Sequence, residues 1–209
     1  MVVYSVMVTG LSLIALLLKS GITKRRFRPE FFYYFTNLSA LLCLACNVVL
    51  ILAELVGVSP GCISLLTGVA IPGCVLYESI VFLVYNFILV PQHKGKDSGK
   101  SIYTLEDILM HVLLPIAVWT CWLLGAPKDA IPSFAPLIWL FYPVAYAIAA
   151  IVKGKLQIGP KFDYLDSFYP YRFLDMGEMG AAKFTINLIV MLVGITILGY
   201  GILMLGRLF

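Results

Sequence analysis

Residues 31–42, Phe-Phe-Tyr-Tyr-Phe-Thr-Asn-Leu-Ser-Ala-Leu-Leu, run from an aromatic cluster through Thr36, Asn37 and Ser39 into an apolar stretch that continues to Ala53. Just upstream lies a basic cluster, Lys24-Arg25-Arg26-Phe27-Arg28. About 20 apolar residues at 1.5 Å rise cross the hydrocarbon core of a bilayer. Aromatic and basic residues at the head of such a run suit the headgroup layer. The stretch reads as the mouth of a transmembrane helix, with Thr36 as the leading reactive group.

Composition supports that solvent. The chain has 209 residues, 61% of them hydrophobic and 12% charged, and a mean hydropathy of +0.97. A soluble domain of this size has no interior large enough for so much apolar surface. The net charge of +4 is a small excess, and its placement in loops points to membrane orientation and away from nucleic acid. The first apolar run has no basic n-region and no small-residue cleavage pattern, so it reads as a retained span.

The expected fold is all-α, a single domain of six transmembrane helices over roughly 2–18, 32–54, 65–90, 107–126, 134–152 and 181–205. No internal repeat or low-complexity linker divides it. Twelve basic residues fall in the 1–2, 3–4 and 5–6 loops, against Lys128 and Arg207 on the other side. By the positive-inside bias, both termini lie outside the cytoplasm.

That orientation brings the polar residues of the spans to one end. Thr36 and His111 each sit about five residues into their helices, roughly 6–8 Å deep at 1.5 Å per residue. Lys183 and Asn187 fall near the same level, as do Tyr85, Asn86, Tyr142 and Tyr146 from the ends of helices three and five. Thr36, Ala40, Cys43, Asn47 and Glu54 form one stripe. His111, Pro115, Val118 and Trp122 form another, and Lys183, Asn187, Gly194 and Gly201 a third; all three are expected to face the bundle interior.

An ionisable ring inside a span is costly, which makes His111 a functional candidate. Thr36 either returns its hydroxyl to the Phe32 carbonyl or serves as a nucleophile with His111 as base. Ser39 is the alternative nucleophile, one turn deeper. Asn37, Asn86, Tyr146 or Asn187 is expected to orient His111 or donate to an oxyanion, no acid being evident for the first task. Lys183 snorkels to the interface, pairs with Asp175 or Glu178, or joins the site. Glu78 is the one acid well inside a span, and a structural Glu78–Asn47 bond is expected for it. Five cysteines, including Cys43-x-x-Cys46, give neither a disulfide framework nor a metal-ligand pattern, and no cofactor motif is present.

Four pieces in order resemble the androgen-induced-protein family of integral membrane hydrolases, in particular its bacterial six-helix branch. They are Tyr34-Phe35-Thr36-Asn37-Leu38-Ser39, His111-Val112-Leu113-Leu114-Pro115, Trp139-Leu140-Phe141-Tyr142-Pro143-Val144-Ala145-Tyr146 with Lys153-Gly154, and Tyr169-Pro170-Tyr171-Arg172-Phe173-Leu174-Asp175. The chain departs from the pattern at Ala40, where that branch often has Asn, and at Cys121, where an acid precedes the Trp. The resemblance implies a threonine hydrolase of fatty acid esters of hydroxy fatty acids, with Thr36 as nucleophile and His111 as its partner. It also implies a bacterial cytoplasmic membrane and a membrane lipid or fatty-acyl ester as substrate. The rival expectations are a small transporter or channel along Glu78 and Asn47, and a non-catalytic lipid-binding membrane protein.

Overall fold

Six helices are long and apolar enough to cross a membrane: α1 (Val2–Ser20), α2 (Phe35–Val56), α3 (Pro60–Leu89), α4 (Leu105–Gly125), α5 (Ala135–Leu156) and α6 (Ala181–Gly206). The computed structural model describes residues 1–93, 104–128, 131–162 and 166–209 and has no β-strand among them. Lys94, Lys96 and Lys100 of the 3–4 loop, and residues 163–165 of the aromatic loop before α6, lie outside the described residues.

Helix α3 is the centre. It is 72% buried over its most apolar window, against 17% for α6. Ile71 through Val81 are buried without a break, as expected of a helix that is apolar all round. Helices α2 and α4 pack on one side of α3, with α1 behind them against both, and α5 and α6 pack on the other.

Three turns of these helices are widened to the π form, at Leu66–Ala70, Val84–Leu89 and Leu109–Leu113. Each ends two residues before a proline: Pro72, Pro91 and Pro115. The cause is steric, because a helical proline lacks an N–H and its ring clashes with the carbonyl four residues back. Opening the preceding turn relieves both problems. Two of the three wide turns carry Tyr85 and His111.

The start of α2 is displaced from expectation. Residues Pro29–Tyr33 form a separate 3₁₀ turn, Tyr34 is extended, and the helix begins at Phe35. Thr36 is therefore its second residue and not its fifth. The turn is positioned by a fold-back of the basic loop. Gly21 has φ +78°, and a Cβ there would meet the Arg26 carbonyl oxygen at 2.1 Å, so only glycine lets the loop close on the end of α1. The loop then pairs with the head of α4, through Lys19 with Asp107 at 2.8 Å and Lys24 and Arg28 with Glu106. The 1–2 loop and the start of α4 thus share one end of the bundle.

Helix α6 corrects the expected stripe. Lys183, Gly194 and Gly201 face outward, and the buried residues are Gly199, Ile202, Leu203 and Gly206. The reason is that α6 packs by its C-terminal half. Gly199 sits against Pro136 and Leu76, and Gly206 against Ile131 and Trp122, the close approach that small residues permit. The N-terminal half stands off, and Leu188, Met191, Leu192 and Ile195 border the resulting gap.

Candidate active site

Two cavities of about 240 Å³ each meet at the head of α2. The first is the apolar gap between α3, α5 and α6, with Val84, Val144, Ile148 and Leu192 in its wall. The second, the polar cavity by comparison, lies under the 1–2 loop; Lys19, Arg28, Glu30, Asn37 and His111 are in its wall, although most of its surface is still apolar. Thr36, Tyr85, Leu89 and Tyr171 border both.

Thr36 is partly exposed on this boundary. Its hydroxyl makes no hydrogen bond to the Phe32 carbonyl; its polar neighbour is the Tyr171 phenol. Burial pushes that phenol up to about 12, with the Thr36 hydroxyl, the Phe35 and Thr36 backbone N–H groups and the Tyr146 phenol pulling the other way. Tyr171 therefore keeps its proton across the physiological range and remains a donor. Behind Thr36, the first helical hydrogen bond of α2 runs from Leu38 N–H to Tyr34 C=O at 3.2 Å. The N–H groups of Phe35, Thr36 and Asn37 precede that ladder; the N-cap Tyr34 side chain does not cap them, and those of Phe35 and Thr36 face the Tyr171 phenol.

His111 is 4% exposed, and its ring stacks on Tyr85 with centroids 3.4 Å apart and planes 5° from parallel. Its Nδ1 lies 3.0 Å from the Asp107 carbonyl oxygen. A carbonyl can only accept, so Nδ1 carries the proton and Nε2 keeps its lone pair. The Asp107 carboxylate stands 4.0 Å from the same nitrogen. It is held by Lys19 at 2.8 Å and by Thr104, whose N–H and hydroxyl both donate to it. Pro115 has no N–H to offer the His111 carbonyl, and Asn86 Nδ2 donates to that carbonyl instead, at 3.2 Å.

These contacts revise the expected roles. Asp107 is the acid behind His111 that sequence reasoning missed, although Asp107 and His111 stand four apart on one helix face. Tyr171 was noted only within a matching stretch. Asn86 holds the His111 backbone and lines neither cavity. Tyr146 borders the apolar cavity, but its hydroxyl donates to the Tyr33 carbonyl at 2.8 Å, as a buried phenol must find an acceptor. Ser39 is fully buried, lies 3.2 Å from the Tyr142 hydroxyl, and lines neither cavity. Together these tyrosines pin the head of α2 to α5.

Lys183 is exposed, and Asn187 donates to Met179 Sδ at 3.3 Å; neither lines a cavity. The stand-off of α6 leaves both outside the site. The expected Glu78–Asn47 bond is replaced by two bonds to Cys43. Asn47 Nδ2 donates to the Cys43 carbonyl at 2.9 Å, and Cys43 Sγ donates to Glu78 Oε1 at 3.7 Å. The carboxamide turns back on its own helix because that carbonyl is one turn away. Both residues are buried away from the two cavities.

Lys153 shapes the roof. Its ammonium donates to the Pro160 and Phe168 carbonyls at 3.0 and 2.8 Å and lies over the rings of Tyr33 and Phe162. The adjacent Gly154 accepts the Tyr169 ring so closely that a Cβ would come within 2.2 Å of it. This clamp sets the segment that delivers Tyr171. No family model, curated protein or solved structure matches the chain.

Proposed function

We propose that the protein is an intramembrane hydrolase of fatty-acyl esters, with Thr36 as nucleophile and His111 as base. The observation that supports this most is the position of Thr36, on the line where an apolar cavity meets a polar one that His111 also borders. An acyl ester has the same division. Its hydrocarbon chain suits the gap between α3, α5 and α6, its carbonyl falls at Thr36, and its alcohol lies in the polar cavity.

In this reading Thr36 Oγ1 attacks the ester carbonyl carbon while its proton passes to His111 Nε2. The tetrahedral oxyanion takes hydrogen bonds from Tyr171 and the N–H groups at the head of α2, where the helix dipole also favours negative charge. The carbon–oxygen bond to the alcohol breaks, and His111 returns the proton to the departing oxygen. Water, entering through the polar cavity and deprotonated by His111, attacks the acyl-threonine carbonyl; the bond to Thr36 Oγ1 breaks, His111 returns the proton to that oxygen, and the acid is freed. Asp107 favours the imidazolium that forms twice in the cycle, and the Lys19 ammonium paired with it acts the other way. The chain's own residues supply every proton transfer in the sequence.

Glu78 and Asn47, the residues a transport path needs, border neither cavity, which favours hydrolysis over transport. The loop charges support termini outside the cytoplasm, and the resemblance implies a bacterial cytoplasmic membrane. A C-terminal reporter active only in the cytoplasm overturns that orientation. The hydrolase reading is tested by fluorophosphonate labelling of purified protein. Labelling is expected in the wild type, absent in Thr36→Ala, and at least a hundredfold slower in His111→Ala. Equal labelling of all three contradicts it.

A further inference from the structure

The apolar gap is shorter than a long acyl chain, and on the hydrolase reading this decides where the tail of a substrate goes. The gap starts beside Thr36 and Tyr85 and ends at Ile80 on α3, Pro143 on α5 and Ile195 on α6. From Tyr85 to Ile80 the helix rises about 7–8 Å, and from Leu188 to Ile195 about 10 Å. One turn beyond that end the helices touch. A Cβ on Gly199 of α6 would lie 3.4 Å from Pro136 of α5 and 3.7 Å from Leu76 of α3. No hydrocarbon chain continues past that contact.

A fully extended chain advances about 1.2 Å per bond, a third of the reach of one extended residue. A gap of about 10 Å therefore takes roughly eight carbons, whereas a palmitoyl chain needs about 18 Å. The gap is shut at its end but open at its side. Val144 and Ile148 of α5 and Leu192 of α6 belong to its wall and are 40%, 58% and 46% exposed. On spanning helices those faces meet lipid, and lipid tails are as apolar as the gap itself. A methylene that passes between α5 and α6 exchanges one hydrocarbon surrounding for another and loses almost nothing.

We infer that the protein holds only about the first eight carbons of the acyl chain, and that the rest passes between Ile148 and Leu192 into the bilayer. The substrates are then long-chain acyl esters resident in the membrane, taken by the ester end while the tail stays among lipids. Such a site discriminates by bulk near the carbonyl and is indifferent to bulk far along the chain.

The test uses alkyl fluorophosphonates, in which the alkyl group on phosphorus stands where the acyl chain stands in an ester. Thr36 Oγ1 bonds to phosphorus, the bond to fluorine breaks, fluoride leaves, and His111 accepts the hydroxyl proton. Labelling rates of purified protein are compared for butyl and dodecyl fluorophosphonate, each with and without a pyrene on its last carbon. The pyrene is expected to slow the butyl probe at least tenfold, as overfilling a packed site does. It is expected to slow the dodecyl probe less than threefold, because twelve carbons carry the ring out past Ile148. Ile148→Trp narrows that opening, and in this variant the pyrene is expected to slow the dodecyl probe at least fivefold. If the variant fails to fold, the four wild-type rates still decide.

A pyrene that slows both chains equally means that the tail does not leave the gap. One that slows neither means that the gap does not confine the first carbons. Either result, or a folded Ile148→Trp with wild-type rates, overturns the inference and leaves the hydrolase reading standing on the plain probes. Labelling by none of the four overturns both.

Discussion

Tyr171 is the residue whose chemistry follows most directly from where it sits. The ordinary phenol titrates near 10, and burial moves it to about 12. The native state then holds a proton that the unfolded chain has released between those values. The contribution is complete below pH 10 and is lost as the pH rises towards 12, on the order of 2–3 kcal/mol over the window. Thermal unfolding in detergent at stepwise alkaline pH is expected to show this loss in the wild type and a shallower one in Tyr171→Phe. If Tyr171 also donates to the oxyanion, the Phe variant loses about 10²–10³ in kcat at pH 7 with KM nearly unchanged. A KM effect alone assigns Tyr171 to packing. Its partner Thr36 was visible beforehand, as a hydroxyl at the mouth of an apolar run beside an intramembrane histidine in depth. Tyr171 was not, because an aromatic residue in a headgroup-facing loop has the same pattern whether it anchors the interface or folds inward. Asp107 was overlooked for a related reason: at the first turn of a span an acid reads as a boundary marker. Its pairing with Lys19, 88 positions away, is long-range and leaves no local mark.

At the scale of the element, the wide turns matter most. Pro115 opens the turn that contains His111, and Asn86 from a second wide turn takes up the carbonyl left without a partner. Replacing Pro115 by Ala restores an N–H and removes a clash, so the helix is expected to be as stable as before or more so. The tighter turn would rotate His111 away from the polar cavity. Pro115→Ala is therefore expected to keep or raise the unfolding temperature while lowering ester hydrolysis at least tenfold. Unchanged activity would show that the wide turn has no part in placing the imidazole. Six apolar runs were legible as helices because length and hydropathy suffice for that. Their ends were less so. Five aromatics before Thr36 look like a continuation of α2, yet Pro29 starts a 3₁₀ turn and the extended Tyr34 separates it from the helix. The inward stripe on α6 was misread because periodicity locates a face without saying which half of the helix has neighbours.

At the scale of the whole molecule, α3 is a post with α2 and α4 packed on one side and α5 and α6 on the other, and α6 closes on it only by its C-terminal half. The stand-off of α6 at its N-terminal half makes the apolar cavity, and it opens towards where lipid would be. Leu192 stands at this gap, 46% exposed. Leu192→Trp is expected to fill the gap, lowering kcat/KM for a palmitoyl ester at least tenfold and that for a butyryl ester less than twofold. Equal losses for both chains would place the acyl group elsewhere. What joins these scales is one claim: the hydroxyl of Thr36, set between an apolar and a polar cavity, takes the acyl group. Fluorophosphonate-labelled protein, digested and sequenced by mass spectrometry, tests it most directly. The account predicts the adduct on Thr36, dependent on His111. An adduct on Ser39, Tyr171 or any other residue, with Thr36 unmodified, would contradict it.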